Sequence, residues 1–175
     1  MSPSTIFAQF GMVLVWLTCT GHSAPVMRDS STAFLVSSPS CHVFNVLRVD
    51  SPGGARRRLS FSGHTFTQQS KFLIKKYIGA NQRVQLSIHW ASDPKFLLTV
   101  VGSDIVLKDS SGIVGVSNLF EEGPGIGGLV TLRSLDTASI RYIYGDLSGN
   151  ISLGTCHRSP YAQLRICLNE QNCDV

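Results

Sequence analysis

What is scarce in this chain narrows it before anything present is read. Charged residues make up 15% of the 175 positions and the net charge is +4. That falls short of the dense basic footprint of a nucleic-acid binder, so no nucleic-acid partner is expected. No H-E-x-x-H, G-x-S-x-G or paired-acid constellation occurs, and His22, His42, His64, His89 and His157 are scattered. Ser103-Asp104 and His89 have no spacing that supports a triad, and the convergent set a catalytic centre needs is missing. There is no C-x-x-C and no zinc-finger spacing, which argues against a structural metal. No window holds apolar helical periodicity over three turns. A non-enzymatic protein without cofactors is expected.

Export is the next expectation. Phe10-Gly-Met-Val-Leu-Val-Trp-Leu17 is an apolar run too short to span a bilayer, and small residues follow it up to Ala24 and Pro25. The pattern reads as a secretory signal peptide over 1–24, although Met1 to Gln9 carry no Lys or Arg. No later stretch is apolar enough for a helical span, so stable membrane insertion is not expected and the mature protein should be extracellular. Residues 25–42, serine-rich with one apolar interruption at Ala33-Phe34-Leu35-Val36, read as an N-terminal leader.

From Val43 onward the apolar pattern is short and alternating, with turn residues every few positions, which predicts an all-β domain over 43–175. Three segments share a layout. Alternating strands begin at Val43, Val84 and Leu129, and each runs through a polar turn into a basic residue and a second strand. A tight glycine turn, a third strand and a fourth strand follow, the last at Phe72–Lys75, Ile113–Val116 and Tyr161–Ile166. Repeats of about 43–83, 84–128 and 129–170 have a period typical of repeat architectures. Three four-stranded units close a barrel capped by hairpins, the β-trefoil, and closure removes exposed sheet edges. A β-sandwich of about twelve strands is the alternative.

Between the second and third units lies Gly123-Pro124-Gly125-Ile126-Gly127-Gly128, a match to the dinucleotide-binding string G-x-G-x-x-G. That fingerprint must open a helix whose N-terminus holds the pyrophosphate. Here the residues that follow, Leu129-Val130-Thr131-Leu132, alternate as a strand, and Glu121-Glu122 would repel phosphate. The glycines are therefore read as a surface connection between units.

In the third unit, Leu129-Val130-Thr131-Leu132-Arg133-Ser134, Arg141-Tyr142-Ile143-Tyr144, Ser148-Gly149-Asn150-Ile151-Ser152 and Ile166-Cys167 resemble the central repeat of fibroblast growth factors. The first unit, with Arg58-Leu59-Ser60-Phe61-Ser62-Gly63, is also similar to interleukin-1-like chains. The resemblance covers about 40 residues closely. Ser134 stands where the growth factors have Gly, and Ile166 where they have Glu before the Cys. The repeat that carries their main heparin-binding loop has no counterpart here. The resemblance implies a β-trefoil signalling ligand that engages an immunoglobulin-type receptor ectodomain.

The candidate site is a basic patch of Arg56, Arg57, Arg58, Lys71, Lys75, Lys76 and Arg83, suited to an acidic receptor surface or heparan sulfate. A competing expectation is a secreted trefoil protease inhibitor, with Asp50–Arg58 as an exposed loop, or a glycan-binding module. Asn150-Ile151-Ser152 is an N-glycosylation sequon. Once the signal peptide takes Cys19 away, Cys41, Cys156, Cys167 and Cys173 remain, an even set that allows three disulfide connectivities. A trefoil brings its termini together, so Cys41 could pair with Cys173, and Cys156 and Cys167 flank one loop of the third unit that they could bridge.

Overall fold

The computed structural model describes residues 26–40, 43–52, 57–79, 82–111, 113–136, 139–171 and 173. The expected signal peptide and Cys41 lie outside the described residues. The architecture is all-β, and no α-helix occurs among the described residues. Twelve strands form one antiparallel sheet. They are β1 (Val26–Ser40), β2 (Val43–Asp50), β3 (Arg58–Gly63), β4 (Phe72–Ile78), β5 (Val84–Trp90), β6 (Phe96–Val101), β7 (Asp104–Asp109), β8 (Phe120–Pro124), β9 (Val130–Ser134), β10 (Tyr142–Gly145), β11 (Ile151–Gly154) and β12 (Leu164–Cys167).

Following the pairings, β1 joins β4, β4 joins β5, β5 joins β8, β8 joins β9, β9 joins β12, and β12 returns to β1. Six strands thus close a barrel, which replaces the two stacked sheets of the sandwich alternative. The other six form the hairpins β2–β3, β6–β7 and β10–β11, joined to the barrel through β1–β2, β5–β6 and β9–β10. The main core includes Leu35, Phe61, Phe72, Ile88, Phe120, Leu132 and Ile143, all almost wholly buried.

Several expectations about the strands are corrected. The expected leader 25–42 contains the barrel strand β1, and Val43–Val49 belongs to the second strand of the chain, not the first. Ala33 through Ser37 are buried in succession because both faces of β1 are covered. Ala33 and Leu35 enter the main core, while Phe34 and Val36 pack with Val46, Cys167 and Cys173 in a second cluster. A strand covered on both sides shows no alternation, so its signal resembles an isolated apolar patch. The fourth strand of the middle segment is β8, not Ile113–Val116. Ile113 is 74% exposed, whereas Phe120 is fully buried. The last strand of the third segment starts at Leu164, and Tyr161 lies in a 3₁₀ turn ahead of it.

The glycine run resolves into a hairpin between strands. Gly123 and Pro124 finish β8, paired with Thr131 and Val130 of β9. Gly125 N–H donates to the Leu129 carbonyl and Leu129 N–H to that of Ile126. Gly127 and Gly128 take φ of 63° and 81°, a region that side chains with a Cβ avoid. No helix follows, so the context of a nucleotide site is absent.

Candidate recognition site

β3, β7 and β11 each pair with a single strand, so among the described residues each presents an unpaired edge. A cleft of about 580 Å³ is lined by residues of all three. Leu59, Phe96, Ile105, Leu107 and Ile151 give it an apolar lining; Arg57, Arg58, Asp104 and Asn150 supply polar and charged groups. β3 is tied to the β10–β11 turn by Phe61 N–H donating to the Gly149 carbonyl at 2.7 Å. Gly149 has φ 82°, and a Cβ there would lie 2.8 Å from the Phe61 carbonyl oxygen, so the close approach of the two hairpins requires glycine.

The turn that carries the sequon is self-bonded. Asp146 accepts from the Asn150 backbone N–H at 2.8 Å and from its side-chain amide at 2.9 Å. The side-chain bond from Asn150 is the main reason that the Asp146 pKa lies below its ordinary value. Asn150 itself is exposed.

The seven basic residues are not brought together. Arg56 lies outside the described residues. The Arg57 guanidinium lies 3.6 Å from the Phe96 ring centre and 5.4 Å from that of Trp90. Its Nε donates to the Pro52 carbonyl, and Asp93 stands 3.7 Å away. Arg57 therefore fastens the end of the β2–β3 loop to the β5–β6 turn. Arg58 is exposed at the start of β3 and lines the same cleft. Lys71 lines a different cavity, beside Leu168 and Glu170. Lys75 and Lys76 are adjacent on β4 and so point to opposite faces. Lys76 and Arg83 line a third cavity, and Arg83 is paired with Glu121 at 2.7 Å. Sequence reading missed Phe96, Asp104 and Glu121; the basic residue before the second strand of the segment, Lys95, was the nearest signal.

His89 is 1% exposed and belongs to a chain of hydrogen bonds on β4 and β5. Its Nδ1–H donates to the Pro94 carbonyl at 2.7 Å, which leaves Nε2 to accept from the Ser87 hydroxyl at 2.9 Å, and Tyr77 extends the chain. Ser103 instead receives Arg141. Burial pushes the His89 pKa below 6.5, the Pro94 bond opposes this, and the nearby Lys75 charge adds to the lowering. Above 6.5 the imidazole is neutral in folded and unfolded chains alike. As pH falls through that value the unfolded chain takes up the proton first, so stability declines until the folded pKa is passed. The urea midpoint should therefore fall as pH drops through 6.5, and His89→Gln should flatten that dependence.

The disulfide joins Cys167 to Cys173, with Cα atoms 5.5 Å apart, and Cys156 is free and exposed. The expected pairs Cys41–Cys173 and Cys156–Cys167 are corrected accordingly. β12 ends at Cys167 and the chain turns back within six residues, which seats Cys173 beside it in the cluster of Phe34 and Val36. Cys156 is held elsewhere: its N–H donates to the Tyr144 hydroxyl, which donates to its carbonyl. Cys173→Ser should lower stability by about 2 kcal/mol, read from the denaturant midpoint, because the closed loop is short.

No family model and no curated protein sequence matches the chain. Among solved structures it is similar to the SDF2-like protein from Arabidopsis thaliana. That likeness has a TM-score of 0.53 and 8% identity, and covers 82% of this chain and 95% of that one. At this identity the likeness concerns the fold alone.

Proposed function

We propose that this chain is a β-trefoil recognition protein, built from β1–β4, β5–β8 and β9–β12, and that it works as an exported ligand. Its target is the ectodomain of a cell-surface receptor, with a sulfated glycan as accessory partner. Support for the trefoil comes from the barrel and its three hairpins, one to each block of four strands. The Cys167–Cys173 bond suits an oxidising compartment.

The observation that carries the reading is the cleft bordered by the edges of β3, β7 and β11. An apolar lining with a few charged groups is the usual composition of a recognition site. Unpaired strand edges add main-chain donors and acceptors that an extended partner segment can use. The anchored Arg57 argues against an inhibitory loop that presents that residue to a protease.

The test is a screen of receptor ectodomains with the purified mature protein, followed on any binder found by Arg58→Glu and by Val106→Arg, the latter on β7 at the cleft wall. Each variant should weaken binding at least tenfold, a change of about 1.4 kcal/mol. Inhibition of trypsin-like enzymes by the wild-type protein, or receptor binding indifferent to both substitutions, would overturn the reading.

A further inference from the structure

The turn that joins β10 to β11 brings the sequon Asn150-Ile151-Ser152 to the wall of the cleft, where Asn150 and Ile151 are part of the lining. Asn150 and Ser152 are exposed, and Ile151 between them is half-buried. The turn is held at three points. Asp146 N–H donates to the Asn150 carbonyl at 3.1 Å, and Asn150 N–H returns to the Asp146 carboxylate at 2.8 Å. The Gly149 carbonyl accepts from Phe61 of β3. The root of any group attached to Asn150 is therefore fixed beside the cleft.

Asn150 Nδ2 carries two hydrogens, and its bond to Asp146 Oδ2 at 2.9 Å uses one of them. Replacing the other hydrogen by carbon leaves that bond and the turn intact. Around this turn the outer edges of β3, β7 and β11 are unpaired among the described residues, and Leu59, Phe96 and Leu107 line the cleft with apolar surface. Unpaired edges beside apolar surface invite pairing with other chains unless something bulky and polar stands next to them.

We propose that Asn150 carries an N-linked oligosaccharide and that this glycan screens the cleft against macromolecules while small molecules still pass. The donor is a lipid-linked oligosaccharide diphosphate, which chains meet on export. A bond forms between Asn150 Nδ2 and C1 of the first sugar. The bond from C1 to the diphosphate breaks, its electron pair leaves with the diphosphate, and the amide proton passes to solvent. The attached group is bulky and solubilising. A branched oligosaccharide is larger than the cleft of about 580 Å³, so it stands over the mouth and does not lodge inside. Glycosylated and bare chains are then two forms of one recognition surface, the first hindered at the β11 edge. That consequence rests on the reading of the cleft as a recognition site; occupancy and screening do not.

The full chain expressed in cultured animal cells tests both halves. Digestion with a peptide N-glycosidase should remove the glycan mass and convert Asn150 to aspartate, seen by peptide mass spectrometry. Screening is read by thiol labelling of Val106→Cys on β7 and Arg58→Cys on β3, both at the cleft, as the increment over the parent chain, which subtracts native thiols. A polymer-linked maleimide should react several-fold more slowly with the glycosylated form than with the bare form. N-ethylmaleimide should react equally with both. Ser152→Ala supplies the bare form while Asn150 keeps its bonds to Asp146, and enzymatic deglycosylation of the folded chain supplies it a second way. Ser152→Thr, which preserves the sequon, should stay slow. Ile126→Cys, 62% exposed on the β8–β9 hairpin and outside the cleft, should label alike in both forms. A chain bare at Asn150, or equal polymer labelling of both forms at both cleft reporters, would overturn the proposal. Slow labelling with no receptor found would support it and count against the receptor reading alone.

Discussion

Phe61→Ala is expected to lower the free energy of unfolding by about 3–5 kcal/mol, the range for emptying a fully buried aromatic site. Phe61 is 0% exposed on β3 and belongs to the main core. Its surroundings cannot close over a cavity easily. A Cβ at Gly145 would lie 2.7 Å from the Phe61 ring, so the ring already packs against the β10 backbone, and its own N–H is fixed to Gly149. A domain of this kind has about 5–15 kcal/mol in total, so the loss would be a large share of it. Guanidinium unfolding should show a lower midpoint with little change in slope. Leu147→Ala, at a position 57% exposed, is the control and should stay within about 0.5 kcal/mol. Equal effects of the two substitutions would contradict the assignment of Phe61 to the core.

The second large effect concerns Glu121, whose side chain is 11% exposed between Arg133 at 29% and Arg83 at 59%. Glu121→Ala leaves a half-buried guanidinium without its carboxylate. Breaking a buried pair costs about 3–5 kcal/mol, and because Arg83 faces water the expected loss here is nearer 2–3 kcal/mol. Replacing Glu121 and Arg133 together with Leu should recover part of that loss, since the more buried arginine goes with the carboxylate and only the well-exposed Arg83 loses its Glu121 contact. The double-mutant cycle reads the coupling directly. If the double replacement were as damaging as Glu121→Ala alone, the loss would have a source other than the orphaned arginine.

These residues also mark what could be read in the sequence and what could not. Strands with a simple local signature were legible: β5, β9 and β10 lie where alternation placed them, because Leu86, Ile88 and Trp90 of β5, Leu132 of β9 and Ile143 of β10 enter the core while more polar side chains alternate with them. β1 was not, since Ala33 to Ser37 are buried on both faces and the flanking serines look like a linker. β8 was hidden for another reason. Its sequence, Phe-Glu-Glu-Gly-Pro, has little strand propensity, and it is extended because β5 and β9 on either side pair with it and because Glu121 finds two arginines across the sheet.

The basic cluster failed for a third reason. Adjacency in sequence becomes opposition on a strand, which separates Lys75 from Lys76, and stacking on Phe96 takes Arg57 out of any patch. The cleft depends on residues far apart in the chain, such as Arg57 with Asn150, which no local pattern connects.

The pairing of β1 with β12 bears on how the molecule is made. Phe34 meets Cys167 and Ser37 meets Leu164, so the barrel is sealed by segments from opposite ends of the sequence. During synthesis the β4–β5 and β8–β9 contacts can form as soon as their residues emerge, but the seam must wait until β12 has left the ribosome. Until then β1 offers an unmatched edge, a hazard for pairing with other chains. Such long-range closure also slows folding relative to a protein of local contacts. A translating chain halted before Leu164 would therefore be an open sheet that recruits chaperones, and release of the last strand would be the event that ends its dependence on them.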